Sequence, residues 1–345
     1  MFATDFEYLK ATSVAQAIQL LGTNPEARLL AGGHSLIPLM KLRQVRAPAV
    51  IDIGGIDELR GISINNGTIH IGALTTHREI ETSPEIAQAC HIMTEVAGSI
   101  GDPQVRNRGT IGGNVVHADP ASDWPTVLTA LRAEMVVQGR RGARNVPAAE
   151  FFTGLLETSI ASTEILTGIE VPRLNQNQLA EYAKMAHPAT HFAVVGGAVV
   201  VTVEGGRCTA ASVVVGGLVP MPLRARSVET ALVGQELTME NITAAAEKIS
   251  IDLGSNVFGD SVFASADFRR MVVGVEVKHA LFHAVGLAHH DDGDGHDDHG
   301  HDHDDHGHDH DDHGHDHDDH GHDHGDHGHD HDDHGHDHGD HGHNH

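Results

Sequence analysis

Two glycine pairs carry the clearest chemical signal in this chain: Ala31-Gly32-Gly33-His34-Ser35 and Thr110-Ile111-Gly112-Gly113-Asn114. Each predicts backbone amides without side-chain cover, set beside hydroxyl or amide groups. That is the equipment for gripping a diphosphate and the sugar chain attached to it. Glycine lets main chain approach a ligand closely and adopt φ values that other residues avoid. Successive N–H groups in such a turn form a concave anion site. Either pentapeptide alone is a weak signal. Together, about eighty residues apart and flanked by strand-like and helix-like segments, they predict one dinucleotide held between two subdomains.

The surroundings of the pairs add polar groups. Asp102-Pro103-Gln104-Val105-Arg106-Asn107-Arg108 is too polar for a core; Arg106 and Arg108 could neutralise phosphate, or serve a solvated loop or a subunit contact. Asp119-Pro120-Ala121-Ser122-Asp123 precedes a helix, so Ser122 or Asp123 either caps it or accepts a hydrogen bond from a ligand hydroxyl. His34, between Gly33 and Ser35, reads as a cofactor edge, and His77, after Thr75-Thr76, as a capping or loop residue. Trp124, the sole tryptophan, reads as core or interface. His191-Phe192 either packs in a core or lays a ring over a bound cofactor. There is no nucleophile elbow, no Gly-Lys-Ser phosphate loop and no HExxH, and neither glycine pair fits Gly-x-Gly-x-x-Gly. The chemistry would have to be that of a bound cofactor.

The elements that must position these groups read as follows. Residues 12–21 form a helix, with Ser13 and Gln16 as a capping box. Residues 29–30 and 50–53 are strands, and 62–71 is a hairpin around Asn66-Gly67. Residues 84–97 are helical, 98–114 a long polar loop, and 125–131 a helix with Pro125 in its first turn. Residues 135–137 and 164–171 are strands, and 173–178 are linker-like. Strands at 194–203 and 211–215 flank a turn at 204–207; helices follow at 225–233, 240–251 and 266–283, the last capped by Ser265. Strands followed by helices give an α+β class.

Composition separates a globular body from its tail. From His289 onward lie 24 of the 33 His and 21 of the 49 acidic residues. The body therefore keeps 28 acidic side chains against 22 Lys and Arg, a net charge near −6 rather than −27. No basic stripe suits nucleic acid, which excludes it as a partner. Two cysteines, Cys90 and Cys208, can neither build a disulfide framework nor ligate an iron–sulfur cluster, and they read as inert thiols. No secretory signal and no run of about twenty apolar residues is present, so the expected location is cytoplasmic.

Taken in order, Ala31-Gly32-Gly33-His34-Ser35-Leu36-Ile37-Pro38-Leu39-Met40-Lys41-Leu42-Arg43, Gly72-Ala73-Leu74-Thr75-Thr76-His77, residues 102–114 and Ala266-Asp267-Phe268-Arg269-Arg270 resemble the FAD-binding medium subunit of molybdenum hydroxylases. With His34 in the first motif, the match is most similar to the aerobic carbon monoxide dehydrogenase branch. The resemblance implies an α+β fold: a two-subdomain FAD-binding domain of the vanillyl-alcohol oxidase/p-cresol methylhydroxylase type (1–55 and 56–173), a small C-terminal α/β domain (179–286) and a disordered tail (287–345). It implies FAD contacts from Ala31, Gly32, Gly33, His34, Ser35, Thr110, Ile111, Gly112, Gly113, Asn114 and Asp123, and further contacts at Leu166 and Lys184. No catalytic side chain is implied. The implied partners are a large molybdopterin subunit, with molybdenum alone or with copper, and a small subunit with two [2Fe–2S] clusters, as a dimer of heterotrimers. Carbon monoxide would be oxidised on the large subunit, with electrons passing through the clusters and this FAD to a quinone or other acceptor. The complex would sit in the cytoplasm, through its partners at the inner face of the membrane. Purine, nicotinate or aldehyde oxidation is the alternative within the family.

The tail approximates a seven-residue repeat, as in His301-Asp302-His303-Asp304-Asp305-His306-Gly307. Without apolar residues it should be disordered, and its His and Asp can bind Ni²⁺, Cu²⁺ or Zn²⁺. Metal buffering, docking to an acceptor or membrane protein, or charge switching as its histidines titrate near pH 6.5 are its open roles; a metal-storage or metallochaperone protein on a degenerate scaffold is the reading from another functional class.

Overall fold

The chain opens as strand–helix–strand–helix–strand. Strands Glu7–Lys10, Arg28–Leu30 and Ala49–Asp52 form a parallel sheet with the third in the middle, where Leu9 and Leu29 both stand in register with Ile51. Helix Val14–Thr23 buries Val14, Ala17, Ile18 and Leu21, the apolar face its spacing predicts. Ser13 caps it by accepting the Gln16 N–H, but the Gln16 side chain reaches Thr12 rather than Ser13, so the expected capping box is only half formed. The computed structural model describes residues 2–287; the expectations for the His/Asp/Gly run lie outside the described residues.

A second sheet is antiparallel throughout, in the order Ile62–Asn65, Thr68–Gly72, Ile165–Pro172, Glu134–Gly139, Gly142–Pro147. Its first hairpin turns at Asn66 (φ 51°) and Gly67 (φ 78°), the left-handed pair that an Asn-Gly dipeptide favours. Strand Gly142–Pro147 escapes sequence reading because it is an exposed edge with one buried residue, Val146, and so lacks apolar alternation.

The third sheet runs Gln178–Ala186, Ala193–Glu204, Arg207–Gly216, Leu223–Arg224, again antiparallel. Helices Arg226–Leu232, Met239–Ala246, Ile249–Leu253 and Ala266–Ala284 follow, the last capped by Ser265. Helix Asp123–Ala130 is buried along its whole length and touches the two central strands of this sheet. Trp124, Val127 and Leu128 belong to the same apolar cluster as Ile69, Ile169 and Ala198. The helix is therefore the pin between the second and third sheets.

Three expectations need correction. The helix at 84–97 is two, Pro84–Ala89 and Ile92–Gly98, broken where Cys90 leaves helical geometry at φ −164°, ψ 78°. The helix at 240–251 likewise divides at Glu247–Lys248 into Met239–Ala246 and Ile249–Leu253. The polar loop at 98–114 contains a turn of helix, Pro103–Arg106, and ends in another, Ile111–His117. These pieces are too short to display a helical period, and paired glycines mask the second. Its start is set by Thr110, whose Oγ accepts the Gly113 N–H at 3.1 Å.

Candidate functional site: a cleft between two glycine motifs

The first glycine motif joins strand Arg28–Leu30 to helix Leu36–Lys41. Gly33 takes φ +81°, where a side chain would be strained, and a Cβ there would press on the Ile37 Cδ1. Among the described residues, the N–H groups of Gly32, Gly33, His34 and Ser35 donate to no protein acceptor. Four consecutive residues with unpaired donors thus line one cleft, an arrangement with which a backbone turn can receive an anion.

The second motif meets the first. A Cβ on Gly32 would overlap the Arg108 carbonyl oxygen, and a Cβ on Gly113 would lie 3.7 Å from the Ala31 Cβ. Yet the second motif supplies no comparable donors, contrary to the expectation of free amides in both. Ile111 N–H donates to the Thr75 carbonyl, Gly112 to Ala73, Gly113 to the Thr110 hydroxyl and Asn114 to the Thr110 carbonyl. The helix start takes the amides of Gly113 and Asn114, and the carbonyls of Thr75 and Ala73 take the other two. Gly112 serves packing instead: its missing Cβ makes room for Ala73. The motif offers side-chain chemistry through Asn114, whose Oδ1 accepts from the Ser122 hydroxyl at 2.5 Å, leaving Nδ2 as a donor.

Asp123 closes one end of the cleft. It is 4 % exposed and accepts from the Tyr182 hydroxyl at 2.6 Å and the Lys184 Nζ at 2.9 Å. Burial pushes its carboxyl up from the ordinary range, and Lys184 and Tyr182 pull it back. Lys184 also donates to the carbonyls of Ser99 and His191, so all three of its ammonium hydrogens are committed within the protein. Its role is to fix Asp123 and the chain at His191. The neighbouring Phe192 ring is 45 % exposed at the cleft and so is not a core residue.

The cleft encloses about 250 Å³. Ala31, Gly32, Gly33, His34, Ser35, Thr110, Gly113, Asn114 and Asp123 line it, with Ser122, His191 and Phe192. Ile111 and Gly112 lie buried beneath it. Leu166 sits in the core cluster with Val137 and Ile169 and does not line the cleft. Arg106 is held by Glu81 at 2.9 Å and by two carbonyls, a structural use rather than a phosphate contact.

Two features escape sequence reading. Ile100, Gly101 and Val105 form an apolar wall within what reads as a polar loop. His77, read as a capping or loop residue, begins helix His77–Glu81 but is 2 % exposed and lines the cleft. Its Nδ1 accepts the Trp124 Nε1–H at 3.2 Å. Burial lowers its pKa to about 4, helped by the charges of Arg106 and His34. The imidazole is thus neutral at physiological pH, with its proton on Nε2 because Nδ1 is the acceptor. Only its sequence-distant partner Trp124 could have revealed this.

Cys90 and Cys208 are buried; burial pushes the Cys90 thiol up to about 12 and raises that of Cys208. No helix among the described residues is long and apolar enough to cross a membrane.

Residues 4–174 match the family described as the FAD binding domain in molybdopterin dehydrogenase, and residues 180–284 match the CO dehydrogenase flavoprotein C-terminal domain. The carbon monoxide dehydrogenase medium chain of Hydrogenophaga pseudoflava is 37% identical over 284 residues, 81% of this chain and 97% of that one. The glyceraldehyde dehydrogenase medium chain of Sulfolobus acidocaldarius is 36% identical over 250 residues, 72% of this chain and 89% of that one. A solved carbon monoxide dehydrogenase from H. pseudoflava, lacking the Mo-pyranopterin moiety of its cofactor, superposes with a TM-score of 0.80 at 37% identity over 84% of this chain and 100% of that one.

Proposed function

Because the chain belongs to the family of FAD-binding medium subunits of molybdenum hydroxylases, we propose that it holds FAD in the cleft between its glycine motifs and relays electrons within a carbon monoxide dehydrogenase. The observation that carries this reading is the row of four unpaired amides at Gly32–Ser35, in a cleft that the second motif also lines. FAD suits the donor set: its diphosphate needs several converging N–H groups, and its hydroxylated chain needs mixed donors and acceptors. When bound, FAD supplies one- and two-electron redox chemistry.

The residues divide that work. Gly32, Gly33, His34 and Ser35 would hold the diphosphate, the two glycines leaving their backbone free of side-chain cover. Asn114 Nδ2 would donate to the polar chain, and Asp123, held in place by Lys184 and Tyr182, would accept from a hydroxyl. His77 would present a neutral Nε2–H and so add no charge beside the amides. Ile100, Val105 and Phe192 would keep water from the ring system. Ile111 and Gly112 support the second motif from below, and Leu166 packs the sheet behind it.

The chain cannot hold iron–sulfur clusters, since its two cysteines are buried and far from the four thiolates each cluster needs. Cluster and molybdenum chemistry would belong to a small iron–sulfur subunit and a large molybdopterin subunit, assembled as a dimer of heterotrimers, with a quinone or similar acceptor taking the electrons. Carbon monoxide is favoured as the substrate of the complex by the H. pseudoflava relative, whose similarity spans nearly its whole length. The test has two arms. The full-length chain reconstituted with FAD should retain it through gel filtration, with absorbance near about 450 nm; a colourless protein overturns the cofactor assignment. The purified complex should reduce an acceptor dye with carbon monoxide; reduction only by an aldehyde, purine or nicotinate overturns the substrate.

A further inference from the structure

Away from the cleft, helix Ile92–Gly98 packs against strand Gln178–Ala186, across the seam between the two matched regions. His91, at the helix N-terminus, and Glu95, one turn later, share a helix face. Glu181 comes from the strand. One ligand atom from each lies within 4.8 Å of the others, and the His91 Nε2 is 3.6 Å from Glu181 Oε1. We propose that His91, Glu95 and Glu181 form a three-ligand site for a divalent transition cation of the zinc class, which would tie the helix to the strand across the domain seam.

Two carboxylates converging beside one imidazole need positive charge. A nitrogen and two carboxylate oxygens, with a position left for water, is a ligand set zinc accepts, whereas magnesium and calcium prefer oxygen alone. Zinc bonds of about 2.0–2.2 Å would draw the three atoms closer than they stand. Glu95 is exposed on its helix, so rotation of its side chain can supply that movement without shifting backbone. The same seam already carries the Lys184–Ser99 hydrogen bond, so the site would reinforce an existing contact. The His- and Asp-rich sequence after residue 288 offers ligands for the same class of ion, which points to a protein that encounters such cations.

The test must separate this site from the tail histidines. Histidine carbethoxylation, mapped by peptide mass spectrometry on the full-length chain, resolves His91 individually; its side chain is 44% exposed and open to reagent. Zn²⁺ at ten times its dissociation constant should slow His91 modification about tenfold, the unoccupied fraction at that concentration. The Glu95→Gln/Glu181→Gln double variant should lose that protection while its tail histidines keep theirs. Unchanged His91 modification in wild type, or protection that survives in the double variant, overturns the proposal. As a check independent of the variants, Zn²⁺-soaked crystals of wild-type chain should show anomalous density between the three side chains; density confined elsewhere overturns it as well.

Discussion

Gly32 packs so closely on the main chain at Arg108 that a β-carbon at Gly32 would overlap the Arg108 carbonyl oxygen. This contact fixes the first glycine motif against the segment that leads into the second. Gly32→Ala must therefore push backbone away from backbone, which no side-chain rotation can relieve. The expected cost is about 1–3 kcal/mol of stability, in the range of overpacked interiors, with weaker flavin retention. Chemical denaturation of wild type and variant measures it; an unchanged midpoint would mean that the two segments do not bear on each other.

The buried imidazole of His77 predicts a dependence on acid. Its folded pKa of about 4 lies below the ordinary 6.5, so between those values the unfolded chain binds a proton that the folded chain refuses. Stability is complete above pH 6.5 and falls as pH drops toward 4, by about 3 kcal/mol in all. His77→Gln should flatten that part of the profile. Trp124 is the sole tryptophan and donates to His77, so its fluorescence should titrate near pH 4 in wild type and not in the variant. A fluorescence midpoint near 6.5 would contradict the buried, neutral state.

Lys184 and Asp123 form a nearly dry ion pair, with side chains 11% and 5% exposed. Lys184→Met would strand a buried carboxylate and release the carbonyls of Ser99 and His191. The expected destabilisation is about 3–5 kcal/mol, typical of breaking such a pair from one side. Adding Asp123→Asn should recover part of it, because the stranded charge is then gone. A double-mutant cycle by urea denaturation checks this; strictly additive effects would show that the two residues act separately.

Glu276 predicts the opposite limb of the pH profile. Burial raises its carboxyl from 4.5 to about 7, so the folded state holds a proton that the unfolded state releases. Its stabilising contribution is full below pH 4.5 and is lost as pH rises through 7, by about 3 kcal/mol at most. Glu276→Gln should remove that loss and raise the melting temperature at pH 8 more than at pH 5. An equal shift at both values would contradict it.

How far the sequence reveals this structure depends on whether a feature is local. The Asn66-Gly67 turn and the Ser265 cap are dictated by residues adjacent in the chain, and they read correctly. Features made by distant partners do not. Trp124 and His77 are 47 residues apart and Lys184 and Asp123 are 61 apart, so neither the neutral imidazole nor the saturated ammonium can be read from spacing. The second glycine pair misleads for a related reason. Its sequence predicts free amides, but Thr110 starts a helix and Ala73 and Thr75 take the remaining donors. Short helices broken at Cys90 and at Glu247–Lys248 follow tertiary packing rather than propensity. Leu166 falls in the core because its strand is covered on that face, a fact no single-strand pattern discloses.

Flavin content of the full-length chain and of its Gly33→Val and Gly113→Val variants, measured by absorbance after FAD reconstitution and gel filtration, bears directly on whether both bends enclose one dinucleotide. Wild type should carry about one FAD per chain and each variant close to none, since valine at Gly33 would strain its left-handed backbone and press on Ile37, and valine at Gly113 would crowd the Thr110 hydroxyl and Ala31. Full flavin occupancy in either variant would contradict that arrangement at the bend concerned.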